Sequence, residues 1–508
     1  MKLPTFDIEN FRSLLPVIDA DKLKSLLLYD PASPLLFNTG LFLLLFLAFL
    51  LLYRLLRRWQ GAKLVMVIAF SLYFYYKSSA ECCFILLGVC VSDYLLGRWL
   101  GWTKNMVVRK CIVALNVIIN IGMLVYFKYT NLIFSTIAEF ADKPFDAFDI
   151  ILPAGISFFT FRSISYIVDI YRGDIRPATN FLHYTFFLTF FPPLLAGPVV
   201  RAKDMLGQIE ANPVATRSMT GAGLFLIIAG LIKKVIVADY ISGNFVDRVF
   251  DNPLMYSGFE NLIATYGFTL QLYCDFSGYS DMAIGIALLL GYQFKDNFNA
   301  PFKSQNPSEW WRRWHISLST WLRDYLYIPM GGNRCSKTRN HANLFNTMLI
   351  GGLWHGASWM YIIWGAWNGF LLVAHKTARR LLPRVKEENR GKWWRVAANV
   401  FLTFNLMAFG MMFFRSRSIE NVRDMLTQIF TNFHPEIAPQ FVEGYLLIVI
   451  IMAAAYILHF MPDRWSNALQ RGYIALPLLL QAIILAIVLL VIIQVRQSDI
   501  VPFIYLQY

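Results

Sequence analysis

The sequence predicts an all-α integral membrane protein, and three observations carry that prediction. Of its 508 residues, 57% are hydrophobic and only 15% are charged, where a soluble domain carries about 25% charged residues. Many windows reach the ~20 apolar residues needed to cross a ~30 Å hydrocarbon core. The charges gather in short clusters between those windows, the pattern of basic loops held on one side of a membrane. In a soluble protein the formal net charge of +14 would suggest a nucleic-acid partner. Here it reads as basic loops facing anionic lipid, and no nucleic acid is expected. Residues 1–30 lack the short apolar core and small-residue cleavage site of a signal peptide. Cys82, Cys83, Cys90, Cys111, Cys274 and Cys335 form no C-x-x-C pair and read as small buried hydrophobes. The seven histidines show no H-x-x-x-H spacing, so no metal site is expected.

Taken in order, residues 1–33 read as an amphipathic segment lying on the membrane. A membrane domain covers 34–461, and 462–508 supplies a final transmembrane helix and a tail. Apolar segments fall at 34–53, 64–78, 82–98, 111–133, 151–171, 181–200, 221–240, 261–291, 345–374, 396–414, 444–461 and 474–495. That is about 11–12 spans by the length criterion. A polar, Trp-rich stretch occupies 302–343, and no internal repeat is visible. Arg54, Arg57, Arg58 and Lys63 place the first loop in the cytoplasm and hence the N-terminus outside. Lys104, Arg109 and Lys110 fall inside, and the acidic stretch 139–149 falls outside. The basic residues of 376–395 fall inside, 433–444 outside, and Arg464 and Arg471 inside. The last span then leaves the C-terminal tail extracytoplasmic.

The segment "GGLWHGASWMYIIWG" (351–365) sets an ionisable imidazole in an apolar run. Segment 345–374 is long for one span and short for two, and both flanks are basic: Lys337 and Arg339 before, Lys376, Arg379 and Arg380 after. A hairpin that enters and returns on one side satisfies both facts, provided its backbone is buried in protein or lines a cavity. His355 then lies ten residues past the entry, ~15 Å deep and near the midplane. Gly351, Gly352 and Gly356 permit close approach of a backbone or substrate. An ionisable group at that depth marks a functional site, and a neutral imidazole there is a general base. The bland alternative is a core histidine bonded to a carbonyl.

A second histidine lies in "NPSEWWRRWHISLSTWLRDYLY" (306–327). Asn306 reads as an N-cap, Pro307 as the first helical residue and Glu309 as the capping-box partner. Trp310, Trp314, Leu318 and Trp321 share a face, so the stretch reads as an interfacial helix with aromatics at headgroup level. It is either a lipid anchor or the rim of a donor entrance, with Arg312, Arg313 and Arg323 beside Asp324 available to phosphate. Asp275, Ser277 and Asp281 sit in an apolar context and either line a cavity or bond between helices. Lys233 and Lys234 are expected to snorkel. "GGNRCSKT" (331–338) has Ser336 where a phosphate loop needs glycine before lysine, which rules that motif out.

The stretches "PAGISFFTFRSISYIVDIYRG" (153–173), "FFPPLLAGPVVR" (190–201), "QLYCDFSGYSDMAIG" (271–285), "WRRWHISLSTWLRDYLYIPMGGNR" (311–334) and "GGLWHGASWMYIIWGAWNG" (351–369) closely resemble the membrane-bound O-acyltransferase superfamily. Within it they resemble the bacterial branch of alginate O-acetylase and teichoic-acid D-alanyl transferase. The resemblance covers roughly residues 35–460. It implies a helical ring with re-entrant segments, in which a cytoplasmic tunnel and an extracytoplasmic funnel meet at the family's histidine. That histidine matches His355, and the second motif histidine matches His315; Trp354 adjoins the former. The resemblance further implies a bacterial inner-membrane enzyme that binds no permanent cofactor. Its donor substrate is an acyl-coenzyme A or acyl-carrier-protein thioester, with acetyl the group suggested by the alginate-type branch. A basic cytoplasmic face suits either donor.

The chain ends in "VPFIYLQY" (501–508), which resembles the Phe-x-Tyr-x-x-aromatic tail of these systems, with Tyr508 at the last aromatic position. The resemblance makes Tyr505 an acyl relay whose ester passes to an extracytoplasmic Ser-nucleophile (SGNH-like) acyltransferase and then to a polysaccharide. A tail resting in the outer interface is the plainer alternative. Two rivals to an enzyme are a transporter with a proton relay through buried His and Asp, and a scaffolding subunit. The absence of repeats weighs against the first, and the histidine at mid-depth against the second.

Overall fold

The computed structural model describes residues 26–31, 33–381, 391–495 and 503, and every regular element among them is helical. The first part holds α1 (Gly40–Leu55), α2 (Gln60–Ser79), α3 (Cys83–Trp102), α4 (Met106–Leu124) and α5 (Thr130–Phe140). Next come α6 (Ile156–Arg172), α7 (Phe181–Thr189), α8 (Ala202–Ala211), α9 (Arg217–Leu231), α10 (Asp247–Asp251) and α11 (Gly258–Leu289). Two short helices, α12 (Pro307–Arg313) and α13 (Ile316–Leu322), lead to α14 (Lys337–His355) and α15 (Trp359–Leu381). The remainder is α16 (Trp393–Arg415), α17 (Ile419–Thr431), α18 (Ala438–Gly444), α19 (Leu446–Phe460), α20 (Asp463–Ala475) and α21 (Leu478–Val495). Most of the N-terminal segment 1–33, part of the basic loop at 382–390, and Tyr505 and Tyr508 lie outside the described residues.

Five helices among the described residues are long and apolar enough to cross a membrane: Gly40–Arg58, Gln60–Trp102, Met106–Phe140, Arg217–Asp251 and Trp393–Arg415. The count rises to seven if α18 with α19 and α20 with α21, bent by 99° and 117°, are each one span. The segments expected at 151–171, 181–200, 261–291 and 345–374 contain helices that do not qualify. α6 and α7 are 17 and 9 residues long. α11 and α14 are longer but carry too much polarity, including Asp275, Asp281, Arg339 and Asn343. Protein surrounds most of α6 and α11. α11 buries 23 of its 32 residues, whereas the apolar windows of Gly40–Arg58 and Met106–Phe140 are 22% buried. A helix wrapped by protein can keep polar groups that lipid would exclude.

α11 is the central post, and small residues let α9 lie against it. A Cβ on Gly230 would come 2.5 Å from the Gly278 carbonyl oxygen, and one on Gly223 2.7 Å from that of Gly285. The two contacts are seven residues apart on both helices and run in opposite chain directions, as close antiparallel packing requires. Four π turns interrupt the described helices, at Val125–Tyr129, Ile232–Asp239, Ser242–Val246 and Arg323–Tyr327. Such turns often occur at functional sites. Three of them carry the charged groups Lys128, Lys234 with Asp239, and Asp324.

Two expectations fail here. Lys233 and Lys234 do not snorkel. The Lys234 side chain is 1% exposed and pairs with Asp239 at 2.8 Å and Asp275 at 2.6 Å, while Lys233 pairs with Asp281 at 2.6 Å. Carboxylates on the neighbouring elements remove the reason to reach for the interface. The 306–327 stretch is not one interfacial helix either. It breaks at His315, whose φ is +43°, and Trp310, Trp314, Leu318 and Trp321 are all buried. The Trp310 and Trp314 rings stack on each other at 5.4 Å instead of facing headgroups. Asn306 does cap α12, its side-chain oxygen accepting the Glu309 N–H at 2.9 Å. The capping box is displaced by one residue, because the Glu309 carboxylate accepts the Gln305 N–H at 3.0 Å.

Candidate active site

α14 and α15 pack as an antiparallel hairpin, and His355 is the last residue of its first arm. The arm begins eight residues earlier than expected, at Lys337, so its 19 residues span roughly 28 Å. Polar residues fit its first turns because they serve the preceding loop. Asn340 donates to the Gly332 carbonyl and Asn343 to that of Met330. The hairpin glycines serve packing. A Cβ on Gly352 would strike the Tyr361 carbonyl and Gly365, one on Gly356 the Tyr361 ring, and one on Gly351 would press the Leu322 side chain.

His355 is buried, at 4% exposure, in an aromatic cage. Trp354, Trp364 and Phe414 present rings at 4.9, 4.9 and 5.3 Å, at interplanar angles between 72° and 86°. His315 lies on another side of Trp354, with ring centroids 6.1 Å apart, so the two predicted histidines flank one indole. The Trp354 indole is itself stacked on Phe161 at 5.3 Å and 12°. His315 is set by the break after α12. Its Nδ1 lies 3.1 Å from the side-chain oxygen of Asn297, which also accepts from the Ser317 hydroxyl at 2.8 Å. Nδ1–H is therefore the donor, and the lone pair is on Nε2.

The turn after His355, Gly356–Ala357–Ser358, walls a cavity of about 690 Å³ that is also lined by Lys234, Asp239, Asp275, Asp247 and Arg415. Asp275 thus does both things expected of it: it lines a cavity and it bonds across helices. Ser277 is buried within α11, and Asp281 is held by Lys233. Phe503 is buried beside this cavity. Its ring meets Tyr279 edge-on at 4.4 Å and 88°, and the Lys234 ammonium stands 4.6 Å over it.

The predicted arginines do not form one patch. Arg313 bonds Glu309 and the Asn299 carbonyl, and Arg312 is exposed. Arg323 and Asp324 belong to a second cluster, where Asp324 pairs with Arg201 at 2.7 Å and Tyr325 lies between Arg172 and Arg201. Sequence reasoning passed over Lys128 and Tyr129. The Lys128 ammonium donates to the carbonyls of Trp354 at 2.7 Å and His355 at 3.2 Å, and the Tyr129 hydroxyl donates to that of Leu353 at 2.9 Å. The available signal was a lysine inside the apolar run "MLVYFKYTNLIF".

Comparison with known proteins assigns the family. Residues 175–416 match the model of the MBOAT, membrane-bound O-acyltransferase family. A probable alginate O-acetylase of Pseudomonas aeruginosa is 40% identical over 409 residues, 78% of this chain and 75% of that protein. A peptidoglycan O-acetyltransferase of Helicobacter pylori is 34% identical over 77% of this chain and 79% of its own length. A teichoic acid D-alanyltransferase of Bacillus subtilis is 26% identical over 52% of this chain and 68% of its own. The chain belongs to the membrane-bound O-acyltransferase family and is a multi-pass membrane acyltransferase.

Proposed function

We propose that this protein moves an acetyl group from a cytoplasmic thioester, acetyl-coenzyme A or an acetyl-carrier protein, toward a polysaccharide outside the inner membrane. The relatives named for alginate and peptidoglycan acetylation support the acyl group and the acceptor class. In the transfer a hydroxyl oxygen bonds to the thioester carbonyl carbon while His355 accepts its proton. The C–S bond then breaks, and the imidazolium returns the proton to the departing thiolate. General-base help of this kind is worth ~10²–10⁴-fold. His315 keeps Trp354, and through it the base, in place, and the basic residues of the Arg201–Arg323 cluster face the donor side.

The observation that carries the relay is the seat of Phe503. Its ring is held by Tyr279 and Lys234, and Lys234 lines the cavity beside Gly356. Tyr505 comes two residues later, within about 7 Å of chain, and a tethered hydroxyl has an effective concentration in the mM range. The acetyl-tyrosine ester then hands its acyl group to the serine of an extracytoplasmic SGNH-like partner, which delivers it to the polymer. Mass spectrometry of the C-terminal peptide from membranes given acetyl-coenzyme A tests this. An acetyl-sized adduct on Tyr505, absent in His355→Ala, is expected; normal polymer acetylation by Tyr505→Phe would sink the relay.

A further inference from the structure

Two helices end inside the protein, and a cation closes each. The buried Arg162 of α6 donates to the carbonyls of Phe187, Leu188 and Pro193, at and just past the end of α7. Lys128 does the same for α14, the helix that ends on His355. The physical need is common to both. The last four carbonyls of an α-helix have no intrahelical partner, and that end carries partial negative charge. At a solvent-exposed terminus water would serve; inside a membrane protein a side chain must.

Lys128 sits in an apolar span, where an ammonium is costly unless it is paired. It bonds the carbonyl oxygens of His355 and of the residue before it. With Tyr129 it takes three consecutive carbonyls, those of Leu353, Trp354 and His355. Both donors leave the π turn Val125–Tyr129. The extra residue of such a turn rotates the rest of the helix by roughly 100° relative to an uninterrupted one. The turn thus decides which way the two donors point.

We infer that Lys128 is a positioning residue for acyl transfer: its ammonium, fixed on the carbonyl oxygens of Trp354 and His355, holds the last turn of α14 and so fixes the place of the imidazole. The inference rests on the proposed role of His355 as base. The aromatic cage packs against the ring, and ring contacts do not pair the backbone carbonyls of the last turn. A base misplaced by ~1 Å can cost ~10²-fold in rate. Neither Lys128 nor Tyr129 needs to touch the reacting atoms for this role.

The test uses the full chain in lipid nanodiscs and the variant Lys128→Met, which keeps the length of the side chain and removes its donors. Amide hydrogen exchange over 353–358 should rise at least tenfold, with residues 264–287 of α11 unchanged. The maximal rate of label transfer from radiolabelled acetyl-coenzyme A should fall ~10²-fold while the donor KM stays within twofold. Lys128→Arg, which keeps charge and donors, should recover at least tenfold in both readings. Wild-type exchange over 353–358 in Lys128→Met would overturn the inference. So would raised exchange with an unchanged maximal rate, or a loss confined to KM. Should Lys128→Met fail to fold, Lys128→Gln, which removes the charge and shortens the donor's reach to the Trp354 and His355 carbonyls, is judged by the same readings. A wild-type protein that transferred no acetyl would refute the proposed function alone, because the exchange measurement still decides whether Lys128 holds the helix end.

Discussion

Truncating Phe503 to alanine should unseat the C-terminal tail without touching the base. The ring is 1% exposed, edge-on to Tyr279 at 4.4 Å and under the Lys234 ammonium at 4.6 Å. Replacing a buried phenylalanine by alanine costs about 3–5 kcal/mol. That figure includes about 0.5–1.5 for the aromatic pair and up to about 2 for a desolvated cation–π contact. A chain end can resettle, so the low end, about 3 kcal/mol, applies; it corresponds to roughly 150-fold in the seating equilibrium. Any surplus stability of the seat reduces the visible effect, and a fall of about tenfold or more in the acetylation rate of Tyr505 is expected. The assay is a quenched time course of the C-terminal peptide by mass spectrometry, with donor binding as the control that should not move. A double-mutant cycle with Tyr279→Leu should return a coupling of about 0.5–1.5 kcal/mol. Acetylation of Tyr505 within twofold of wild type in Phe503→Ala would refute the seat.

Three further outcomes are expected. His355→Ala should fold and insert yet lose ~10²–10⁴ in transfer, and His315→Ala should lose less. His315→Asn should be gentler still, because asparagine tolerates the left-handed backbone at this position; an equal loss in all three, read by label transfer, would contradict separate roles. Gly278→Leu should abolish a monodisperse protein in detergent, since even a Cβ there would lie 2.8 Å from the Gly230 carbonyl oxygen; a normal elution profile by size-exclusion chromatography would count against the α9–α11 contact. An impermeant maleimide applied to intact cells should miss Cys335, and efficient labelling would reverse the assigned orientation and with it the donor side.

The helical class and the helical hairpin around 345–374 were legible because they derive from hydropathy and flanking charge alone. Asn306 was legible because a cap is a local interaction. What failed depended on partners distant in sequence. Trp310, Trp314 and Trp321 have the spacing of an interfacial stripe, and only the packing around Phe161, Phe298 and Phe302 shows that they face inward. Lys234 looks like a snorkelling residue until Asp275, 41 positions away, is placed against it. Lys128 lies 227 positions from His355, and no periodicity can signal a contact across that interval. The inner helices fall short of the length and hydropathy of a lipid-facing span for a related reason. Apolar composition reports burial and does not say whether lipid or protein does the burying.

Four cations among the described residues divide by what they neutralise. Lys233 and Lys234 face carboxylates, and each such pair links elements that carry cavity or core residues. Lys128 and Arg162 face carbonyls at the buried ends of α14 and α7. On the proposed role of His355, the second class follows from carrying the imidazole on the last turn of a helix that ends inside the protein. A residue can be carried far from both membrane surfaces by a helix that stops there, but stopping leaves unpaired carbonyls in a place without bulk water. A cation from a neighbouring span satisfies several of them at once and opposes the helix dipole. In a membrane enzyme whose base ends a re-entrant helix, an intramembrane lysine near that end is then expected on structural grounds, and its presence is no argument for a proton relay. His355, walled by Trp354, Trp364 and Phe414 at the turn between that capped end and the cavity, is the group to which the proposed function assigns the proton transfer.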